Sequence, residues 1–212
     1  MDKNLFKFSV KDMTEIAVMC ALAIAIDQLL NIRIGANGGS ISFACLPLFI
    51  VSYRHGWFKG FIASGLVFGF ITCVFDGWGL VTYPFDYLIA FGSIGIAGLF
   101  GKPIYKNVKK TDVKSKLISL LLILVTVLIH GVIRLFAATI DSVLLYEVSF
   151  GAGIVYNLSY IWPTCIALVV FLYILLPALL AVNNQYPTEY LKEDNEKVKI
   201  EEENEEKTNL DN

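Results

Sequence analysis

Charged residues are scarce in this chain of 212 residues. Asp, Glu, Lys and Arg make up 17% of it, hydrophobic residues make up 56%, and the mean hydropathy is +0.65. Soluble domains carry about 25% charged residues, so the composition excludes an ordinary soluble domain and favours a membrane protein. Much of the charge lies outside the apolar segments, in Met1–Asp12, in Lys102–Lys116 and after Asn183. The net charge of -2 therefore averages a neutral membrane body with an acidic tail, and it indicates no nucleic-acid partner.

Motifs of catalysis and metal binding are also lacking. The chain has no Walker loop, no paired His/Glu metal spacing and no serine elbow, so it contains no ATP-binding loop that could drive transport. We expect no catalytic residue, no metal and no cofactor, and we infer that the chain is not an enzyme. The four cysteines lack metal or redox spacing and are expected to be small core residues: Cys20, Cys45, Cys73 and Cys165. The N-terminus leads directly into a full-length apolar run, which predicts no cleavable signal peptide.

Six apolar segments predict an all-α membrane protein with six transmembrane helices. A helix needs about 20 apolar residues to cross a bilayer, so the second, third and fourth segments must be tilted, broken or extended by their flanks. We predict a six-helix transmembrane domain over residues 1–182 and an acidic, disordered cytoplasmic tail over residues 183–212. The predicted segments are Met13–Ile32, Ile41–Tyr53, Phe58–Val74, Asp86–Leu99, Leu117–Ala138 and Ile154–Val182.

Lysine and arginine placement predicts the orientation. These residues concentrate before the first segment, between the second and third, and between the fourth and fifth, whereas the alternate connections hold only Arg33. By the positive-inside rule, both termini are cytoplasmic. His55 lies in the basic loop between the second and third segments, and we assign it no role. The predicted outer face consists of Asn31–Ser40, Phe75–Phe85 and Thr139–Gly153.

The stretch from Tyr83 to Lys102, YPFDYLIAFGSIGIAGLFGK, places one carboxylate, Asp86, at the head of an apolar run. A charged side chain at a helix centre costs at least ~2.5 kcal/mol on insertion scales, so a membrane protein that keeps one pairs it or uses it on a substrate. Pro84 favours a helix start here, and a carboxylate in the first turn gains roughly 0.3–1 kcal/mol from the helix dipole. Asp86 is therefore either a helix cap or a binding group for a small cationic solute. Aromatic side chains that would stack on a cationic ring surround it: Trp78, Tyr83, Phe85 and Tyr87.

Arg134 lies late in the fifth segment and needs a partner, since a guanidinium cannot lose its charge. Asp86, Asp141 and Glu147 are candidate partners near the same predicted face. One interpretation is a structural ion pair between Arg134 and one of these carboxylates. The alternative is that Arg134 contacts a substrate that carries an anionic or carbonyl group.

Asn157 is a polar amide at the predicted outer end of the last segment. Tyr156, Tyr160 and Trp162 flank it, as in the wall of a binding pocket, although an interfacial aromatic belt has the same composition. His130 is a lone histidine, which we interpret as a packed residue.

Small residues recur at helical spacing. Ala17, Ala21 and Ala25 form one smooth stripe on the first helix, and such stripes allow another helix to approach closely in lipid. The stripe could contact another helix of this chain or dock onto a separate membrane subunit. Glycines at similar spacing in the third and fourth segments predict a compact bundle.

Three stretches together resemble the thiamin-specific substrate-binding (S) components of energy-coupling factor (ECF) transporters. They are TEIAVMCALA, ISFACLPLFIVSYRHGWFKGFIASG and FDYLIAFGSIGIAGLFG, and the resemblance covers roughly residues 12–182. It implies a six-helix, multi-pass protein of the cell membrane that captures the vitamin outside. It also implies partners, namely a transmembrane coupling subunit and two cytoplasmic ATPase subunits of an ABC-type importer.

The resemblance also implies roles for individual residues. Ala17 and Ala21, with Ala25 one turn further, match the stripe that contacts the coupling subunit. Asp86 and Tyr87 match an acidic residue and tyrosine near the thiazolium ring of thiamin. Asn157, in its Tyr-Asn-x-Ser-Tyr context with Tyr156 and Tyr160, matches a residue of the pocket.

Two positions depart from the family pattern. Arg134 stands where the fifth helix commonly offers a histidine to the ligand, and the first outer loop, RIGANGGS (Arg33–Ser40), contains no aromatic ring. This glycine-rich loop is either a lid or a simple turn. A related heterocyclic vitamin or precursor therefore stays open as the ligand. A proton- or sodium-coupled secondary transporter that uses Asp86, Asp27 or Asp141 stays open too, as does a scaffold without a solute.

Overall fold

The computed structural model describes residues 6–30, 32–33 and 39–192. Helix α1 spans Val10–Leu29 and begins with a capping box, in which the Ser9 hydroxyl accepts from the backbone N–H of Asp12 and the Asp12 carboxylate accepts from that of Ser9. A short antiparallel ribbon follows, with β1 (Ile32–Arg33) paired to β2 (Ser40–Ile41).

Five further helical segments complete the bundle. They are α2 (Cys45–His55), α3 (Trp57–Asp76), α4 (Leu80–Val108), α5 (Val113–Tyr146) and α6 (Phe150–Gln185). Within the described part of the chain, α3 to α6 are long and apolar enough to cross a membrane. The protein is thus a mostly helical, membrane-type bundle.

Of the three segments predicted to be too short, the third and fourth are lengthened by their flanks and are irregular inside, whereas the second forms only the 11 residues of α2. Helix α3 contains a π-helical stretch, Ile62–Phe68, between the α-helical stretches Trp57–Phe61 and Gly69–Asp76. Helix α4 changes its winding repeatedly. It comprises a 3-10 turn (Leu80–Thr82), a π-helical stretch (Tyr83–Ile89), one α-turn (Ala90–Gly92), a 3-10 stretch (Ser93–Phe100) and a final α-helix (Gly101–Val108).

Helices α3 and α4 pack backbone to backbone, as the glycine spacing predicts. A Cβ atom added to Gly65 would lie 3.0 Å from the Cα of Gly92. A Cβ atom on Gly98 would collide with the backbone of Gly56 and Trp57. Close approach of this kind is the usual way in which helices gain contact in lipid.

A buried cluster of ionisable side chains joins α1, α2 and α3 at the end of the bundle where α1 begins. Lys59 Nζ lies 2.8 Å from Asp12 Oδ2, and Arg54 forms an ion pair with Glu15. His55 lies between the two carboxylates, with Nδ1 and Nε2 each 3.3 Å from an oxygen of Asp12 or Glu15. Our sequence interpretation gave His55 no role, which is wrong, because its ring is fully buried in this cluster.

The chain stays packed past the predicted boundary at residue 182. Arg54 donates to the carbonyl oxygen of Tyr186 at 3.1 Å, and the Thr188 hydroxyl donates to the carbonyl oxygen of Arg54. The Tyr190 hydroxyl donates to the carbonyl of Gly98 at 2.7 Å. The first part of the predicted tail, up to Lys192, therefore belongs to the bundle, because it is hydrogen-bonded to α2 and α4. Residues 193–212 lie outside the described residues.

Replacing Lys59 with alanine tests the cluster. The change leaves the Asp12 carboxylate, which is 2% exposed, without its closest cation, and breaking a buried pair in this way costs about 3–5 kcal/mol. We expect a clear fall in the midpoint of thermal unfolding of the detergent-purified protein. Lys192→Ala is the matched control, because its pair with Glu189 is about half exposed and should contribute little. Equal midpoints for the two variants would contradict the role of the cluster.

Candidate functional site

A cavity of about 560 Å³ lies at the opposite end of the bundle from the ionic cluster. Its walls come from the last turns of α1, α3 and α5 and the first turns of α2, α4 and α6, so the helices alternate in direction around it. The three connections that the sequence assigns to one face all contribute to the cavity, through Gly39–Ser40, Trp78 and Val148.

The structure brings all seven predicted binding residues to this cavity. They come from α4, α5 and α6 and from the turn before α4: Trp78, Asp86, Tyr87, Arg134, Tyr156, Asn157 and Tyr160. Of the other aromatic residues named from the sequence, Tyr83 instead donates from its hydroxyl to the Gly65 carbonyl, and Trp162 is exposed on the outside of α6. Tyr83, Phe85 and Trp162 do not belong to the lining.

Asp86 sits in the π-helical stretch of α4, two residues after Pro84. Asp86 lies in the first turn of that stretch, where the helix dipole favours a carboxylate as the alternative expected, but it makes no capping hydrogen bond. In the described part of the chain its carboxylate has neither a hydrogen-bond donor nor a cation within ion-pair distance. A carboxylate in this position costs free energy until a positive group reaches it.

Tyr87 is held in place by a residue that the sequence interpretation missed. Its hydroxyl donates to Asp76 Oδ2 at 2.9 Å, and its ring packs against Phe91 with centroids 6.1 Å apart. Asp76 ends α3 and also lines the cavity. The bond fixes the Tyr87 ring against the cavity wall.

Arg134 is held by aromatic rings rather than by a carboxylate. Its guanidinium carbon lies 4.8 Å from the centroid of Phe91 and 5.9 Å from that of Tyr160, with a longer contact of 3.8 Å from Nη1 to Cys45 Sγ. No ion pair joins Arg134 to a carboxylate among the described residues, so the predicted pairs with Asp86, Asp141 or Glu147 are not formed. Stacking on rings leaves guanidinium N–H groups available to the cavity.

Asn157 links the cavity walls. Its amide nitrogen lies 3.3 Å from both Thr139 Oγ1 and Ser142 Oγ on α5, and its amide oxygen accepts from the Tyr160 hydroxyl at 2.7 Å. These bonds use both N–H groups and one lone pair of the amide. Asn157 therefore orients Tyr160 and retains one acceptor position for a ligand.

The Tyr156 hydroxyl forms a hydrogen bond with Gly39, at the end of the glycine-rich loop that lines the cavity. It accepts from the backbone N–H of Gly39 at 3.1 Å, and its ring meets Tyr160 edge to face with centroids 5.8 Å apart. A Cβ atom on Gly39 would lie 2.6 Å from the Tyr160 ring, so the fit requires glycine. Residues 34–38, on which the predicted lid depends, lie outside the described residues.

Four aspartates from four helices and one arginine line the cavity within the described residues. Asp86 was predicted as a binding group, Asp27 and Asp141 were named only for the alternative of an ion-coupled transporter or, for Asp141, an ion pair, and Asp76 was not named. The sequence did hold a signal, since each lies at the end of an apolar segment that points toward one predicted face. His130 is confirmed as a packed residue, 1% exposed, with Nδ1 2.7 Å from the Ser93 hydroxyl.

Comparison with known proteins identifies the family of the chain. Residues 13–184 match the family described as thiamine transporter protein (Thia_YuaJ). The chain belongs to this family. The match confirms the resemblance seen in the sequence, and with the membrane-type helices it makes the chain a multi-pass membrane protein of a transporter family.

Two relatives of the family extend the comparison. The thiamine transporter ThiT of Bacillus subtilis (strain 168) is 28% identical over 182 residues, which cover 78% of this chain and 92% of that protein. A solved structure of ThiT from Listeria monocytogenes superposes with a TM-score of 0.64 at 21% identity, covering 83% of this chain and 96% of that one. At that identity the superposition shows the shared fold.

The alanine stripe of this family member lies on its surface. Ala17, Ala21 and Ala25 are all exposed, whereas Ile16 and Ala23 on the other side of α1 are buried. The alternative that the stripe packs against another helix of this chain is therefore wrong within the described residues. Its exposed face is available to lipid or to another protein.

Replacing Gly39 with alanine tests the closure of the cavity. The added methyl group must displace either the Tyr160 ring or the end of the loop, and such overpacking typically costs 1–3 kcal/mol, which corresponds to roughly tenfold weaker binding of thiamin as the probe. Intrinsic fluorescence titration of the purified protein measures the effect. Gly151→Ala is the matched control, because nothing lies within 4 Å of its Cβ position. Unchanged binding by the Gly39 variant would show that the loop end is not part of the site.

Proposed function

We propose that this chain is the thiamin-capturing S component of an ECF-type importer. The observation that carries the proposal is the Asp86 carboxylate, which faces a cavity walled by aromatic rings and lacks a protein partner among the described residues. A flat permanent cation, such as the thiazolium ring of thiamin, would pair with this carboxylate and stack on the neighbouring rings. The family membership and the relative from Bacillus subtilis, which is named a thiamine transporter, support the same ligand.

The dimensions and chemistry of the cavity fit a molecule of this size. Pockets for small molecules typically enclose about 300–1,000 Å³, and the cavity of about 560 Å³ lies within that range. Tyr87, Tyr156 and Tyr160 supply flat surfaces, while Asn157 and Arg134 supply an acceptor and donors for the polar edges of a heterocycle.

We further propose that all six helices cross the bilayer with both termini in the cytoplasm. Positive charge concentrates at the end of the bundle opposite the cavity, which by the positive-inside rule places the cavity mouth outside. The chain has no ATP-binding motif and no catalytic constellation, so uptake would depend on a separate coupling subunit and two ATPase subunits. The exposed alanine stripe of α1 is the surface on which that coupling subunit would dock.

Arg134 favours a second candidate ligand. A guanidinium stacked on Phe91 and Tyr160 suits a carbonyl or anionic group, which a related heterocyclic vitamin or precursor would carry. Competition of such compounds against thiamin would rank the two candidates.

Replacing Asp86 with asparagine tests the proposed role of its charge. Loss of a charged hydrogen-bond partner costs about 1.5–3 kcal/mol, so thiamin should bind roughly 10- to 100-fold more weakly while the fold is kept. Calorimetric titration of the purified protein gives the affinity. Glu147→Gln is the control, since it removes a charge from an exposed residue that does not line the cavity. The same affinity for both variants would remove Asp86 from the site.

Replacing Ala17 and Ala21 with leucine tests the docking surface. Both residues are exposed and lie away from the cavity, so thiamin binding by the purified protein should be unchanged. Uptake of labelled thiamin by cells that contain the complete importer should be abolished, because bulky side chains keep the partner helix at a distance. Leucine at Ala178 and Ala181, which are exposed on α6 and do not line the cavity, would serve as the control. Full uptake by the double variant would contradict the docking surface, and transport by the chain alone in vesicles would favour a secondary transporter.

A further inference from the structure

Asp141 is a buried carboxylate of the cavity that has no partner among the described residues. It lies on α5, is 4% exposed and lines the cavity. Its Oδ1 atom is buried, and neither a hydrogen-bond donor nor a cation reaches it from the described residues. Such a group costs free energy in the empty protein, so its retention calls for a function.

Two polar side chains of the same cavity walls, Ser142 and Asn157, direct their donors to groups other than Asp141. The Ser142 hydroxyl donates to the Ala138 carbonyl at 2.8 Å, and both amide N–H groups of Asn157 point to Thr139 and Ser142. Arg134, the cation of the described cavity lining, is stacked on Phe91 and Tyr160 rather than on a carboxylate. None of these three side chains supplies Asp141 with a donor, so a ligand that enters the cavity with an N–H group can supply one.

Asp141 and Asp86 face the same space from neighbouring helices and repel each other. A ligand with a single positive centre pairs with one carboxylate and leaves the other without a partner. A ligand with a fixed cation at one end and N–H donors at the other satisfies both carboxylates at once. Two carboxylates on different helices thus specify a ligand with two distinct electropositive ends.

We propose that Asp141 is a second ligand-binding carboxylate, which accepts hydrogen bonds from an amino-substituted nitrogen heterocycle while Asp86 pairs with the fixed cation of the same molecule. The inference rests on the proposed function and deepens it, since thiamin joins a thiazolium ring to an aminopyrimidine. Asp141 then determines specificity. Its carboxylate accepts a hydrogen bond from an amino group, whereas it repels a carbonyl oxygen at the same position.

The test compares thiamin with an analogue in which a carbonyl replaces the amino group of the pyrimidine. Affinities of both compounds are measured by calorimetry for the unchanged protein, Asp141→Asn and Asp86→Asn. We expect the unchanged protein to prefer thiamin, and Asp141→Asn to bind thiamin roughly 10- to 100-fold more weakly and to lose most of that preference. Asp86→Asn should weaken both compounds and keep their ratio. Asn is nearly isosteric with Asp, and Asp141→Ser provides a second variant that removes the charge without adding volume.

The outcomes separate the two proposals. A preference for the amino compound that persists in both Asp141 variants would overturn the assignment of Asp141 and leave the proposed function standing. If the unchanged protein binds neither compound, the proposed function fails and the assignment of Asp141 fails with it. Loss of the preference in the Asp86 variant alone would place the aminopyrimidine on Asp86 and would also overturn the assignment.

Discussion

A charged side chain inside a membrane-type bundle needs a partner, and this protein meets that requirement differently at its two ends. Where α1 begins, Asp12 and Glu15 are matched by Lys59 and Arg54 within the protein. At the cavity, Asp86 has no such partner among the described residues. These ion pairs hold α1, α2 and α3 together at the end where α1 begins, because a buried ion pair is costly to break. The Asp86 carboxylate, unpaired among the described residues, can bind a cation from outside.

Closely packed helices separate the ionic cluster at one end of the bundle from the cavity at the other. Helices α3 and α4 approach backbone to backbone, with Gly65 facing Gly92, so the wall that carries Asp86 has little freedom to shift toward a partner in the protein. On the opposite wall of the cavity, Asn157 of α6 hydrogen-bonds to Ser142 of α5 and orients the Tyr160 ring. A site built on packed helices with hydrogen-bonded supports keeps its geometry before the ligand arrives, which reduces the ordering cost of binding.

Features that depend on residues close together in the chain could be predicted from the sequence. Contacts between segments far apart in the chain could not. Asp86 stands out because an apolar run surrounds it, and the structure places it in the cavity as expected. The position of Asp76 at the end of an apolar segment does not reveal its partner, because its bond to Tyr87 exists only once α3 and α4 turn back on each other. His55 was dismissed for the same reason, since Glu15 and Asp12 reach it from a helix about forty residues earlier. The π-helical winding of Ile62–Phe68 and the packing of Tyr190 under Gly98 likewise depend on tertiary contacts rather than on composition.

The central claim is that an unpartnered carboxylate selects a cation, and one comparison tests it most directly. Calorimetric titration of the purified protein, without nucleotide or partner subunits, would give the affinities for thiamin and for an analogue of the same shape whose thiazolium ring is replaced by an uncharged ring. The account predicts one-to-one binding of thiamin and roughly 10- to 100-fold weaker binding of the neutral analogue. Equal affinity for the two compounds would contradict it, because the cavity would then recognise shape and not charge.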